Sequence, residues 1–282
     1  MKKIAVLITL AFFTGMGFSQ EYLPTPQEID AFYNTKTYVV LEDNPMLDYN
    51  IIVKEVMKKE WKLTPYDFIS WAAFEDMRKD PKNSFLVLTK VNFEKDKTMA
   101  TYKFVNLLLG GNYFGLSQMP ALCSFPLSYY GVEESSYNYK LANLLRFVQN
   151  HVELIKARPD IVSRNVFKYY NDNMADIKDK TLYVVQDELE PEVNSAARIK
   201  KVYPYRFKIV TRQDVQDAIE RRDPNVVYLH KVGPEGTRLN ARCYKIIVGA
   251  ADANLYYFDF HMINDKKPDG LLEKDFKKLS KG

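Results

Sequence analysis

The segment at residues 255–261 carries the side chains best suited to catalysis. It reads LYYFDFH, so that tyrosine, aspartate and histidine occupy every second position. Because alternate side chains of a β-strand share one face, Tyr257, Asp259 and His261 would lie side by side. An aspartate beside a histidine can fix the imidazole tautomer for general-base chemistry or help to hold a metal ion. The same pattern is also typical of a solvent-facing strand, which is the structural alternative.

Acidic residues that follow two β-rich runs form a second candidate site. Asp43 comes after the run at 37–41, and Asp187 comes after the run at 181–185. Ligands of open α/β sheets collect outside the carboxyl ends of the strands, so these carboxylates are candidates for holding a metal or a basic ligand. Acids at such positions also stabilise the start of a following helix through its dipole, which is a structural role.

Tryptophan and tyrosine side chains are candidates for binding surfaces. Trp61 and Trp71 flank a predicted strand and are suited to binding a sugar or a partner, with packing at helix ends as the alternative. The chain also has 20 Tyr and 17 Phe. Most of them lie in β-rich runs, where aromatic residues are common, whereas an exposed Tyr-rich surface would suit recognition of a partner.

Cys123 and Cys243 form a candidate disulfide if the protein is exported, with buried thiols as the alternative. The three histidines show no His-x-x-x-His or Glu-x-x-His spacing. The sequence also contains no phosphate-binding loop, dinucleotide fingerprint or Gly-x-Ser-x-Gly elbow. We therefore expect no cofactor and no metal.

The first residues are typical of an export signal. Lys2 and Lys3 precede an uncharged stretch at 4–18, and cleavage is expected near Ser19 or Gln20. That stretch is shorter than the about 20 apolar residues that a membrane span needs. We expect a soluble periplasmic or secreted protein with no transmembrane segment after cleavage.

The charge of the mature chain excludes one class of partner. Without Lys2 and Lys3 the chain has 38 basic and 36 acidic residues, hence a net charge of +2. Such a small charge predicts no strong attraction to nucleic acid or to anionic lipid. The 46% of hydrophobic residues can bury a sizeable core.

Self-similarity within the chain indicates an internal duplication. Four matches recur in the same order: residues 37–43 with 181–187, 66–70 with 205–211, 80–91 with 223–232, and 102–105 with 244–247. The spacing between matched segments is nearly the same in the two copies. The mature chain is therefore predicted to be one α/β unit written twice.

Each copy predicts the element order β-α-β-α-β-β-β-α, which places the fold in the α/β class with mixed sheets and helices packed on them. The first copy ends in a long amphipathic helix over 141–155, with Ser135 and Ser136 as candidate caps. The second copy ends in a shorter helix over 271–279. The expected segments are a signal peptide at 1–19, a first α/β unit at 20–156, a connector at 157–180 and a second α/β unit at 181–282.

The stretches VVLEDNP at 39–45 and HKVGPEG at 230–236 resemble a family of exported proteins of Gram-negative bacteria with no known activity. This resemblance implies an envelope address. The order of strands and helices is also similar to that of small periplasmic α/β modules, such as the amino-terminal domain of the TolB type, which act as adaptors in envelope assembly. Fold alone does not fix function.

Two functions from different classes follow from these observations. The first is a non-enzymatic periplasmic binding or envelope-assembly adaptor protein, whose partner is an envelope protein or a cell-wall component. The second is an envelope hydrolase or metal-dependent enzyme that uses Asp259 and His261, with Asp43 and Asp187 as further candidates. Whether these side chains share a cleft distinguishes the two.

Overall fold

The computed structural model describes residues 22–236 and 238–281, which form a mixed α/β fold with two five-stranded sheets. The expected signal peptide at 1–19 lies outside the described residues. The α/β class and the mixed sheets predicted from the sequence are confirmed.

The first sheet contains strands from residues 36 to 129. They are β1 (Lys36–Val40), β2 (Tyr66–Ile69), β3 (Asn83–Asn92), β4 (Thr101–Leu109) and β5 (Ala121–Tyr129). Their order in the sheet is β2-β1-β3-β4-β5. The strand β1 runs parallel to β2 and β3, whereas β3, β4 and β5 are antiparallel. Central strands such as β3 are buried on both faces, which explains the apolar run that they carry.

The second sheet has the same order and the same strand directions. Its strands are β6 (Thr181–Val185), β7 (Phe207–Val210), β8 (Val226–Val232), β9 (Arg242–Gly249) and β10 (Leu255–Met262). They lie in the order β7-β6-β8-β9-β10, with β6 parallel to its two neighbours and the rest antiparallel. This arrangement is compatible with a tandem duplication. The strands β5 and β10 are edge strands of their sheets.

Seven α-helices in the described part of the chain pack around the sheets. They are α1 (Pro26–Phe32), α2 (Asp48–Glu60), α3 (Trp71–Met77), α4 (Leu141–Ala157), α5 (Ala196–Ile199), α6 (Arg212–Glu220) and α7 (Glu273–Leu279). Hydroxyl caps start three of them: Thr25 accepts from Glu28 N at α1, Ser70 accepts from Ala73 N at α3, and Thr211 accepts from Asp214 N at α6.

The long helix α4 lies between the two sheets and is buried along most of its length. It begins at Leu141 without a side-chain cap, so Ser135 and Ser136 do not cap it. Those serines belong to a preceding turn of 3-10 helix. Polar residues of α4 join the two halves: the Arg146 guanidinium donates to the carbonyl oxygens of Ile219, Ala250 and Ala251 at 3.1–3.2 Å.

The expected connector forms a 3-10 helix, Val166–Asp179, which we call the connector helix. It lies against the edge strand β10. The side-chain amide of Asn171 accepts from Phe258 N at 2.7 Å and donates to Phe258 O at 3.1 Å. The amide thus substitutes for a neighbouring strand, and this protects the sheet edge from pairing with another chain.

Across residues 22–236 and 238–281, no helix combines the length and the apolar character needed to cross a membrane.

Candidate functional site

The structure places Tyr257 and Asp259 on the same face of β10, as the alternation of the strand predicts. The Tyr257 hydroxyl donates to Asp259 Oδ2 at 3.1 Å, and Lys278 of α7 donates to the same oxygen at 3.1 Å. Burial alone would raise the pKa of Asp259, but the hydrogen bond from Lys278 and the charge of Lys245 hold it below its usual value. Phe260 N also donates to Asp259 Oδ1 at 2.9 Å, so Asp259 is an ionised carboxylate that already has three donors.

His261 is not hydrogen-bonded to Asp259. Its Nε2 lies 2.9 Å from the carbonyl oxygen of Pro268, and because a carbonyl can only accept, Nε2 carries the proton. Burial and the nearby Lys245 lower the pKa of His261. The imidazole is neutral and is held by its hydrogen bond to the Pro268 carbonyl, so it is not positioned with Asp259 for general-base chemistry.

Two buried ion pairs cross the same face of the sheet, and sequence reasoning did not identify them. Lys245 Nζ lies 2.9 Å from Asp275 Oδ1, and Lys231 Nζ lies 2.5 Å from Asp269 Oδ2. Lys231 and Lys245 are paired across β8 and β9, and Lys245 is opposite Asp259 on β10. The acidic partners come from the segment after β10, which folds back over the sheet. One lysine in each of two largely apolar strands was the signal in the sequence.

Asp43 and Asp187 both lie on the surface, and the more constrained acids are their neighbours. Glu188 is buried and its Oε1 lies 2.6 Å from Nζ of the fully buried Lys140. Glu42 is fixed through its backbone, because Asn50 bonds both its N–H and its carbonyl oxygen at 2.9 Å. Within residues 22–236 and 238–281, no group of three or more His, Cys, Asp or Glu side chains could hold a metal ion.

The two tryptophans lie in packing positions. Trp61 is buried in the core, and its indole N–H lies 3.1 Å from both the carbonyl and the hydroxyl oxygen of Thr64. Trp71, at the start of α3, packs edge-on against Phe74 at 5.3 Å between ring centroids.

Cys123 and Cys243 are both buried, and no disulfide joins them, so the candidate disulfide is wrong. Cys123 lies on β5 of the first sheet. Cys243 lies on β9 of the second sheet, where its Sγ accepts from Gly270 N at 3.4 Å. Burial raises the pKa of the Cys243 thiol, which is consequently unreactive.

Most described tyrosines are buried or partly buried, which agrees with the strand-packing alternative rather than with a Tyr-rich surface. The tyrosines among the exposed large apolar residues are Tyr22, Tyr130 and Tyr169. The buried tyrosines and phenylalanines are instead distributed over three clusters of the core, of which the largest contains residues from both halves.

A partly open cleft lies between the edge strands β5 and β10, with a volume of about 200 Å³. We call it the aromatic cleft because six rings line it: Phe93, Phe104, Phe167, Tyr244, Phe258 and Phe260. Ser124 of β5 and His151 and Ile155 of α4 also line it. The segment at 162–168, before and at the start of the connector helix, lines another side. The cleft is therefore built from both sheets, α4 and the connector.

His151 is a buried titratable group in this lining. Its Nδ1 lies 2.9 Å from the Tyr170 hydroxyl, and burial lowers its pKa to about 4. The hydroxyl donates to Nδ1 if the imidazole carries its proton on Nε2. The neutral ring can then offer Nε2–H as a polar contact in a mostly apolar cavity.

Arg242 is held between two of the aromatic rings. Its guanidinium carbon lies 3.6 Å from the centroid of Phe93 and 4.6 Å from that of Phe260. It also forms a two-point ion pair with Asp96 at 2.6 and 2.9 Å. Stacking and pairing together fix the orientation of both rings, so this wall of the cleft is pre-organised.

A wider groove lies between α2 and α6, with a volume of about 790 Å³. Charged residues of both helices line it, among them Glu55, Lys59, Arg212 and Glu220. These side chains are largely exposed. Ligand sites are usually concave and mostly apolar with a few placed polar groups, so the aromatic cleft is the stronger candidate.

Comparison with known proteins gives no similar protein, since the chain matches no family model, no curated protein and no solved structure. The family resemblance and the similarity to TolB-type modules stay predictions. The function is consequently inferred from the geometry of the site.

Proposed function

We propose that this protein is a non-enzymatic binding protein of the bacterial envelope and that the aromatic cleft is its binding site. The observation that carries the proposal is a ring-lined cleft formed jointly by two edge strands and the connector. The envelope address comes from the export signal in the sequence. The proposal also treats the two sheets as copies of one duplicated unit, which their common strand order supports.

The size of the cleft supports binding of a small apolar group. An engineered apolar cavity of about 150 Å³ is sufficient to bind benzene, and the aromatic cleft has about 200 Å³. The rings of Phe167 and Phe258 lie 5.2 Å apart, and those of Phe93 and Phe104 lie 6.1 Å apart. Such walls favour a planar or aliphatic group by burying its apolar surface.

The alternative, a hydrolase or metal-dependent enzyme that uses Asp259 and His261, has less support. Asp259 is occupied by Lys278 and Tyr257, and His261 is bonded to the Pro268 carbonyl. A metal that copurifies with the protein and is lost in His261→Ala would favour this alternative over binding.

The binding proposal is tested by filling the cleft. In Ser124→Trp, a side chain that lines the cleft becomes a large ring, which should displace an apolar ligand. Ser135→Trp places the same ring on an exposed turn outside the cleft and serves as the matched control. Toluene is the probe, and saturation-transfer NMR reports its contact with the protein.

We expect a saturation-transfer signal for the wild type and for Ser135→Trp, and a reduction of at least about fivefold for Ser124→Trp, which corresponds to about 1 kcal/mol of lost burial. Thermal unfolding of each variant checks that it is folded. An equal signal from all three folded proteins would show that toluene binds elsewhere and would contradict the proposal.

A further inference from the structure

Some of the charged side chains at the aromatic cleft have an ion-pair partner and others do not. Two of its charged side chains are neutralised by partners: Arg242 pairs with Asp96, and Asp259 pairs with Lys278. Arg164 and Lys168 also line the cleft and are exposed. The ion pairs of the described chain include neither of these two.

Arg164 and Lys168 therefore give the cleft a local charge of about +2, although the protein as a whole is close to neutral. Both belong to the segment around the start of the connector helix, close to the apolar side chains of Val166 and Phe167. The cleft thus combines an apolar interior with cations beside it. This combination is complementary to a molecule with an apolar body and an anionic end.

We infer that the aromatic cleft binds a small amphiphile with one anionic group, whose apolar body lies among the rings and whose anion lies near Arg164 and Lys168. This inference rests on the proposed binding function and adds the chemical class of the ligand. From the volume of about 200 Å³, the apolar body has about six to ten carbon atoms.

Three probes with the same body and different end groups test the inference. They are 3-phenylpropionate, 3-phenylpropanol and 3-phenylpropylamine, which are anionic, neutral and cationic at pH 7. Each has one ring and three further carbon atoms, so the apolar contribution to binding is the same. Their dissociation constants are measured by titration, with toluene competition to show that each occupies the cleft.

We expect the anion to bind about tenfold more tightly than the amine, because exposed charges contribute about 1 kcal/mol or less each. The difference in affinity between the anion and the amine should become smaller at about 1 M salt, where the Debye length is about 3 Å. In the double variant Arg164→Gln/Lys168→Gln the three probes should bind within about twofold of one another.

Lys54→Gln/Lys58→Gln is the matched control, because it removes the same charge from an exposed face of α2 outside the cleft. It should keep the full preference for the anion. If the control loses the preference as well, the effect comes from net charge and the inference is wrong.

Different results would contradict the anionic ligand and the binding function. If the three probes compete with toluene and bind equally well, the inference of an anionic ligand is wrong and the proposed binding function is retained. If neither toluene nor any of the probes binds in a manner that Ser124→Trp abolishes, the binding function is wrong and the inference falls with it.

Discussion

Lys245 carries a positive charge inside the protein, with Asp275 as its partner. The two side chains are 0% and 2% exposed, and their charged atoms are 2.9 Å apart. Asp275 also accepts from Leu272 N at 3.0 Å, so the pair anchors the start of α7 on the sheet. Removing one member leaves the other charge buried without compensation.

We expect Lys245→Met to lower the free energy of unfolding by about 3–5 kcal/mol. Lys277→Met breaks the exposed pair with Glu273 and should cost less than about 1 kcal/mol. Urea unfolding at pH 7 gives both values. Similar losses for the two variants would contradict a special role for the buried pair.

His151 makes stability depend on pH in a defined range. Its pKa is about 6.5 in an unfolded chain, and burial lowers it to about 4 in the folded protein. As the pH falls below 6.5 the unfolded chain takes up the proton first, so the free energy of unfolding falls by about 1.4 kcal/mol per pH unit from this residue until about pH 4. Above pH 6.5 the residue contributes no pH dependence.

His151→Asn removes this titration and keeps an amide near the position of Nδ1 for the Tyr170 hydroxyl. Between pH 7 and pH 5 the wild type should lose about 2 kcal/mol more than the variant. Urea unfolding of both proteins at the two pH values measures the difference. Equal losses would mean that His151 does not stay neutral in the folded protein.

At the residue scale, the sequence predicted which side chains share a face but not what they contact. Alternation along β10 correctly placed Tyr257 beside Asp259. The partners Lys278 and Pro268 come from the segment that folds back after the strand, and no periodic pattern signals such a contact. The functional assignment of Asp259 and His261 therefore depended on information that only tertiary structure provides.

At the scale of elements, two asparagines of the connector helix bind the edge of β10: Asn173 donates to Leu255 O at 2.9 Å, and Asn171 makes two bonds to Phe258. Asn171 bonds both backbone groups of Phe258, and Phe258 also lines the aromatic cleft. The connector helix thus secures the strand that forms one wall of the proposed site. Loss of the Asn171 amide should weaken this edge locally.

We expect Asn171→Ala to lower the free energy of unfolding by about 1–3 kcal/mol and to speed amide exchange at Phe258. The neighbouring Asp172 is exposed, so Asp172→Ala is the matched control and should change neither quantity measurably. Hydrogen exchange followed by NMR checks the prediction. If amide exchange at Phe258 is as slow in Asn171→Ala as in the wild type, the side chain of Asn171 is not needed to protect this edge.

Strands were easier to predict than helix ends and the connector. Apolar and β-branched runs mark β1 and β6 directly, because those strands are largely buried. Ser135 and Ser136 were predicted as caps of α4 from hydroxyl chemistry, but the helix begins after Lys140, whose ammonium group is bound by Glu188. The connector showed no helical period because a 3-10 helix repeats every three residues.

At the scale of the whole molecule, the two halves share one core. A single cluster of buried side chains includes Val53 and Phe125 of the first half and Tyr228 and Ile246 of the second. Asn143 of α4 donates to the Tyr228 hydroxyl at 3.0 Å, which adds a polar contact between the halves. The self-similarity that predicts a duplication is visible in the sequence, but this packing of one half on the other is not.

We therefore expect the protein to unfold in a single transition, with equal calorimetric and van't Hoff enthalpies. A fragment that ends at residue 180 should not fold, because the face of α4 that contacts the second half would be exposed to water. Calorimetry of the full chain and circular dichroism of the fragment test this. Two resolved transitions, or a folded fragment, would contradict a shared core.

The contacts of Arg146 have a consequence for biosynthesis. The ribosome makes α4 long before it makes Ala250 and Ala251, whose carbonyl oxygens lie 104 and 105 residues further along the chain. Until those residues emerge, this cation has no completed site in which to be buried. The last strands therefore set the time at which the nascent chain can close its core, and the first half must remain incompletely folded until then.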